Sequence, residues 1–172
     1  VQQMLRDFVE GGGRMYVACW SGAYVDHVWP SVAELSHGPS YATTADILDS
    51  EVAAFVGSDE MVIDHGYDCI DSFSPDVNQI LWGREYNGTE VGLIAFSFVR
   101  GSGKVVYTDF HSESGMQANP EQASFLAWIV GEVAQSDASN VAWFQFDGAR
   151  VVDLTEADSN INNWMHAGIL EG

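Results

Sequence analysis

Hydrophobic and polar positions along the first thirty residues predict an alternation of helices and one short strand. Between residues 2 and 10 the apolar side chains recur at helical spacing, which predicts an amphipathic helix. Three glycines at 11–13 end this helix, because glycine adopts the left-handed conformation that caps a helix. The apolar run 15–20 then predicts a strand, and 23–29 predicts a helix that stops before Pro30. This order is typical of α/β folds.

Strand signals dominate the middle of the chain. Two apolar-rich runs are separated by Asn87–Gly88, a dipeptide that tolerates the positive φ angles of a tight turn, so they predict an antiparallel hairpin near 77–99. A third strand is predicted at 104–110. The stretches 31–45 and 64–76 carry weak signals, and we predict them as loops.

The last third of the chain begins with a strong helix signal. Asn119 is a favourable N-cap and the next residue is a proline, which suits the first helical position, so a helix is predicted from 119 to 135. A hairpin and a final helix are predicted within 138–172. We find no linker, and therefore interpret these residues as an appendage of the same domain as residues 1–137.

Composition and charge exclude several classes of protein. The 172 residues include 47% hydrophobic residues, which is typical of a globular chain. There are 25 acidic against 6 basic residues, a net charge of −19, with Lys104 as the lone lysine. Such a surface repels phosphate backbones, so nucleic acid is not expected as a partner. No apolar run is long enough for membrane insertion. The excess of acidic residues predicts an extracellular or cell-surface location, or the cytoplasm of a salt-adapted organism.

Cys19 is the first candidate for chemistry. It lies where the predicted strand meets the predicted second helix, and a thiolate is favoured at such a junction, which resembles a nucleophile elbow. The glycines that flank such elbows are absent at positions 17 and 21, which hold Val17 and Ser21. A buried core cysteine is the alternative. With Cys69 it makes two cysteines, which either form one bridge or remain free thiols.

His111 and Glu113 form the second candidate. They follow the predicted strand 104–110, and functional residues of α/β sheets commonly stand where a strand ends. Glu113 could orient the imidazole of His111, and with Cys19 the set provides the parts of a Cys-His-Glu acyl-transfer site. The alternative is a histidine that only binds a loop at the end of the strand.

Metal binding has weaker support. Asp147, Asp153 and Asp158 belong to an acidic cluster that could hold Ca²⁺ through oxygen ligands, although the spacing does not match an EF-hand loop. Solvated acidic loops are the alternative. No phosphate-binding glycine motif is present, so no other cofactor is predicted.

Two segments resemble class I glutamine amidotransferase-like domains of large bacterial secreted or surface proteins. Residues 8–17 read FVEGGGRMYV, and residues 103–113 read GKVVYTDFHSE, close to the late strand of that family. The resemblance spans roughly residues 1–135. It implies a flavodoxin-like α/β fold, with a doubly wound, mainly parallel sheet, helices on both faces and the antiparallel hairpin near 77–99. It also implies that Cys19, His111 and Glu113 match the triad of active members.

The resemblance also suggests what is missing. The motif that grips glutamine is absent after Cys19, and the first strand of the family would precede Val1, where the chain begins without an initiator methionine. We therefore interpret the sequence as a piece of a larger protein whose open sheet edge is filled by another chain or by the parent protein.

Three functions remain open at this stage. The first is a non-catalytic structural or interaction module of an acidic extracellular or surface protein. The second is a cysteine-dependent amidase or hydrolase that uses Cys19, His111 and Glu113. The third is an acidic binding module stabilised by Ca²⁺.

Overall fold

A computed structural model describes residues 2–36, 38–67, 70–110, 119–134, 146–147 and 150–151. Within these ranges there are four α-helices, a 3₁₀ helix and ten strands. The helices are α1 (Gln2–Glu10), α2 (Gly22–Val28), α3 (Ser50–Val56) and α4 (Pro120–Ala134), and the 3₁₀ helix is Cys19–Ser21. The strands are β1 (Arg14–Ala18), β2 (Ala33–Leu35), β3 (Ser40–Ile47), β4 (Glu60–Tyr67), β5 (Ile70–Phe73), β6 (Asn78–Tyr86), β7 (Thr89–Arg100), β8 (Gly103–Thr108), β9 (Phe146–Asp147) and β10 (Arg150–Val151).

Six strands form one mixed sheet in the order β1-β8-β7-β6-β3-β4. Only β1 and β8 run parallel in this sheet, and every other neighbouring pair is antiparallel. Two short antiparallel pairs, β2 with β5 and β9 with β10, complete the described strands. The main sheet is strongly curled.

The predicted doubly wound, mainly parallel, flavodoxin-like sheet is wrong. A parallel neighbour requires a long crossover connection, whereas a tight turn forces its two strands to run antiparallel. Tight turns join β6 to β7 at Asn87–Gly88 and β7 to β8 at Gly101–Ser102. The stretches 31–45 and 64–76, predicted as loops, contribute β2, β3, β5 and the end of β4. These strands add to the antiparallel part of the structure.

Successive residues of β8 divide the interior into two hydrophobic clusters. Val105 and Tyr107 pack with α1, α2 and β1 in one cluster. Val106 packs with α3, α4 and the strands β3, β4 and β6 in the other. Successive side chains of a strand point to opposite faces, so β8 contributes to both clusters and is buried on both sides.

The end of β8 is joined to β4, the strand at the far side of the sheet. Phe110 forms an isolated antiparallel bridge with Gly66, and the Tyr67 amide donates a hydrogen bond of 3.2 Å to the Asp109 carbonyl. Strands β8 and β4 are separated by three others in the strand order. The contact between them follows from the curl of the sheet.

The predicted division into residues 1–137 and an appended segment 138–172 stays a prediction. Of the second segment, only β9 and β10 belong to the described residues, where Phe146 pairs with Val151 and Asp147 with Arg150.

A close backbone approach fixes the turn between β7 and β8 against the end of α1. The Ser102 amide donates to the Glu10 carbonyl, and the Lys104 amide donates to the Gly13 carbonyl, each at 3.2 Å. A Cβ atom at Gly103 would overlap the carbonyl oxygens of Val9 and Gly13. This position therefore has no room for a side chain.

Replacing Gly103 with alanine is expected to lower the free energy of unfolding by about 2 kcal/mol, because overpacking a close contact strains the backbone. Gly131→Ala is the matched control, since Gly131 lies inside α4 and the added Cβ would meet no atom within 4 Å apart from the adjacent residues and backbone of its own helix. Alanine there is expected to raise the stability by about 0.5–1 kcal/mol through helix propensity. Urea denaturation measures both changes, and equal stability of the two variants would contradict the prediction.

Candidate functional site around Cys19

Cys19 lies in a strained turn between a strand and a helix. It directly follows β1, begins the 3₁₀ helix and precedes α2 by three residues. Its φ angle is +48°, in the left-handed region that costs a residue with a side chain about 1–3 kcal/mol. Among the described residues other than glycine only Asn87 shares this property, and Asn87 belongs to a hairpin turn that favours it. The cost at Cys19 has no such local explanation.

The thiol of Cys19 is free and enclosed. The residue is 1% exposed to solvent, and it forms no disulfide bond. The predicted junction of strand and helix is present, and so is the burial that the alternative of a core cysteine implies. Burial alone does not separate a sheltered nucleophile from a packing residue.

Tyr107 of β8 contacts the turn that begins at Cys19. Its hydroxyl donates a hydrogen bond of 3.3 Å to the Cys19 carbonyl oxygen. A Cβ atom at Gly22, the first residue of α2, would lie within 3 Å of the Tyr107 ring and of Leu35. The turn is therefore packed closely against β8.

The parallel pairing of β1 and β8 brings this turn to the edge where β8 ends. Ala18 is the partner of Thr108 in the register of the two strands, and Tyr16 is hydrogen-bonded to Thr108 through their hydroxyl groups at 2.9 Å. The two strand ends lie side by side. His111 follows this end of β8 by three residues, but His111 and Glu113 lie outside the described residues, so their part in the site stays a prediction.

Asp109 is a buried carboxylate that the sequence interpretation missed. It is 1% exposed and accepts a hydrogen bond of 2.6 Å from the Tyr41 hydroxyl on β3. Its amide donates to the Ile94 carbonyl at 3.0 Å. We call the hydrogen bond between these side chains the Tyr41–Asp109 clasp, because it ties the end of β8 to a strand three places away in the sheet. The available signal was an aspartate that directly follows a hydrophobic strand and precedes Phe110.

The proposed calcium ligands stay untested. Asp147 belongs to β9, but its side chain is not described, and Asp153 and Asp158 lie outside the described residues. In the part of the chain that the structure describes, no group of three or more His, Cys, Asp or Glu residues could hold a metal ion.

The clearest electrostatic effect lies away from Cys19. Arg84 donates hydrogen bonds to Asp46 and to Glu60, and these two carboxylates raise the pKa of the guanidinium above its ordinary value. All three side chains are well exposed, so water screens the interaction and it contributes little to stability.

None of the helices within the described ranges is long and apolar enough to cross a membrane.

Comparison with known proteins shows a shared fold only. No family model and no curated protein matches the chain. The mmIFT52 N-terminal domain superposes with a TM-score of 0.60 at 11% identity, covering 79% of this chain and 71% of that domain. A cytoplasmic protein from Salmonella typhimurium superposes with a TM-score of 0.52 at 11% identity, covering 76% of this chain and 59% of that protein.

A third solved structure is a protein from Thermoplasma acidophilum that is assigned as a GMP synthase component. It superposes with a TM-score of 0.51 at 13% identity, covering 77% of this chain and 64% of that protein. The chain thus spans about six tenths of the Salmonella and Thermoplasma proteins. At such low identity these matches carry no activity over to the chain.

The assignment to the class I glutamine amidotransferase-like family is contradicted. The two similar segments suggested a flavodoxin-like parallel sheet, whereas the described sheet is curled and mostly antiparallel. Of the first segment, residues 8–10 end α1, 11–13 form a turn and 14–17 lie in β1. Of the second, residues 103–108 form β8. Apolar strand residues next to glycines are compatible with many kinds of sheet, so these short motifs do not specify a parallel one.

The Tyr41–Asp109 clasp yields a test of stability. Tyr41→Phe removes the hydroxyl that binds a buried carboxylate, and we expect the free energy of unfolding to fall by about 2 kcal/mol. Tyr86→Phe is the control, because Tyr86 is 38% exposed. We expect its stability to stay within about 0.5 kcal/mol of the parent in urea denaturation. Equal losses of unfolding free energy in the two variants would show that the Tyr41–Asp109 clasp stabilises the fold no more than an exposed hydroxyl does.

Proposed function

We propose that the protein performs cysteine-dependent acyl transfer or hydrolysis with Cys19 as the nucleophile. The observation that supports this proposal is the left-handed backbone of Cys19 at the junction of β1 and the helices that follow. Strained residues persist where the surrounding structure enforces them, and they concentrate at functional sites. A sharp turn from strand to helix is the geometry that presents a nucleophile in several hydrolase folds.

The chemistry needs two partners for the thiol. The Cys19 thiolate would attack a carbonyl carbon, forming an S–C bond, and the leaving group would depart with a proton. Water would then cleave the thioester and restore the thiol. We assign the proton transfers to His111 and the orientation of its ring to Glu113. This part of the proposal draws support from the sequence and from the end of β8 beside Cys19.

Alkylation of a single thiol tests the proposal. In a Cys69→Ala background, Cys19 of the folded protein is expected to react with iodoacetamide faster than the same thiol in urea, because a paired thiolate is the reacting form. His111→Ala is expected to lower the folded rate by about tenfold or more through loss of the base. Mass spectrometry of the modified peptide measures both rates.

His27→Ala is the matched control for this experiment. His27 lies on α2, close to Cys19 in sequence, but its side chain is exposed and its Nδ1 contacts the Ala23 carbonyl. This variant is expected to leave the rate unchanged. A folded thiol that reacts more slowly than in urea and does not respond to His111→Ala would exclude the proposal.

A non-catalytic interaction module is the second candidate, and two observations favour it. The Cys19 thiol is enclosed, with the residue only 1% exposed. In addition, five of the six lysine and arginine side chains form hydrogen bonds within the chain: Arg6, Arg14, Arg84, Arg100 and Lys104. The outward field is therefore dominated by carboxylates. A partner with a basic surface would complement it, and an extracellular, cell-surface or salt-rich location suits such a charge.

The excess charge predicts a response to salt. At a net charge of −19 the folded chain repels itself, and salt shortens the range of that repulsion. We expect Tm to rise by about 3 °C between low salt and about 0.5 M NaCl, which corresponds to about 1 kcal/mol. Sucrose at the same osmolality is the control, because it stabilises proteins through exclusion from their surface without screening charge. A Tm that stays constant or falls as salt is added would contradict this view of the surface.

A further inference from the structure

We propose that Tyr107 is a positioning residue that holds the Cys19 turn in its reactive conformation. This inference rests on the proposed function of Cys19, and it adds a residue to which the sequence analysis gave no role. The Tyr107 hydroxyl donates to the carbonyl of the one residue in the turn that has a left-handed backbone.

The Tyr107 side chain is held rigidly. It is fully buried, and its ring packs against Phe96 with the ring centroids 5.2 Å apart. Tyrosine is rarely placed in a core without an acceptor for its hydroxyl, since burial of an unpaired polar group is costly. The Cys19 carbonyl is such an acceptor, so the hydroxyl is tied to the turn.

The same ring restricts the turn at its other end. Gly22 lies so close to the Tyr107 ring and to Leu35 that a Cβ atom there would overlap both. The chain from Cys19 to Gly22 is therefore fixed at one end by a hydrogen bond and at the other by packing. Both constraints come from one side chain of β8, the strand whose end lies beside the turn.

Removing the hydroxyl is expected to affect reactivity more than folding. Phenylalanine keeps the ring and its packing, but the Cys19 carbonyl loses the Tyr107 hydroxyl as a donor and keeps the Gly22 amide. With one constraint removed, the turn can relax from the left-handed region. Because the direction of a side chain depends on its backbone angles, the thiol then loses its fixed orientation. The rate of reaction at Cys19 reports this loss directly.

The experiment compares two tyrosines on neighbouring strands in the Cys69→Ala background. Tyr107→Phe is expected to lower the alkylation rate of folded Cys19 by about fivefold at each pH across the neutral range, the effect of losing one hydrogen bond. Tyr16→Phe is the matched control, because its hydroxyl is hydrogen-bonded to the Thr108 hydroxyl of β8. It is expected to change the rate by less than about twofold. In urea, where the turn is absent, the three proteins are expected to react equally.

The outcomes separate this inference from the proposed function. If Cys19 of the folded Cys69→Ala protein reacts no faster than in urea, and if His111→Ala leaves its rate unchanged, the proposed function is wrong and this inference is wrong with it. If the parent thiol is reactive but Tyr107→Phe reacts like Tyr16→Phe, only the positioning role is overturned. Gly22→Ala, which presses on Tyr107 from the other end of the turn, provides an independent variant, and an unchanged rate there would also count against the inference.

Discussion

The parallel pairing of β1 with β8 is the constraint on which the candidate site depends. Every other neighbouring pair in the six-stranded sheet is antiparallel, so this one pair decides which chain ends meet. It brings the turn that starts at Cys19 to the edge where β8 ends, although almost ninety positions separate the two segments in the sequence. A reversed β1 would carry that turn to the opposite edge of the sheet.

Three consecutive residues at the end of β8 connect this edge to the rest of the fold. Tyr107 binds the Cys19 turn, Thr108 binds Tyr16 of β1, and Asp109 binds Tyr41 of β3. The left-handed backbone of Cys19 costs free energy, and such strain persists only where surrounding contacts outweigh it. Of these three contacts, the Tyr107 hydrogen bond reaches the turn itself, which is why we connect the strained turn with function.

Local signals in the sequence predicted local structure well. The helical spacing between residues 2 and 10 corresponds to α1. Asn87–Gly88 forms the predicted turn between β6 and β7. Asn119 caps α4 by accepting a hydrogen bond from the Gln122 amide. The sheet order could not be predicted in the same way, because it depends on contacts between distant segments. In β3 the buried positions include Tyr41 and Thr43, so the alternation is too weakly hydrophobic to indicate a strand. The buried role of Asp109 likewise depends on a residue far away in the sequence, because its hydrogen-bond donor Tyr41 lies 68 positions earlier.

Trapping an acyl-enzyme tests the central claim most directly. The Cys69→Ala protein would be mixed with p-nitrophenyl acetate, an activated ester whose p-nitrophenolate leaves when a thiolate takes up the acetyl group. Peptide mapping by mass spectrometry would then locate the label. The account predicts acetylation of Cys19 in the folded protein, with turnover that slows in His111→Ala. An unlabelled Cys19, in a protein that is labelled at this residue only after unfolding, would contradict it.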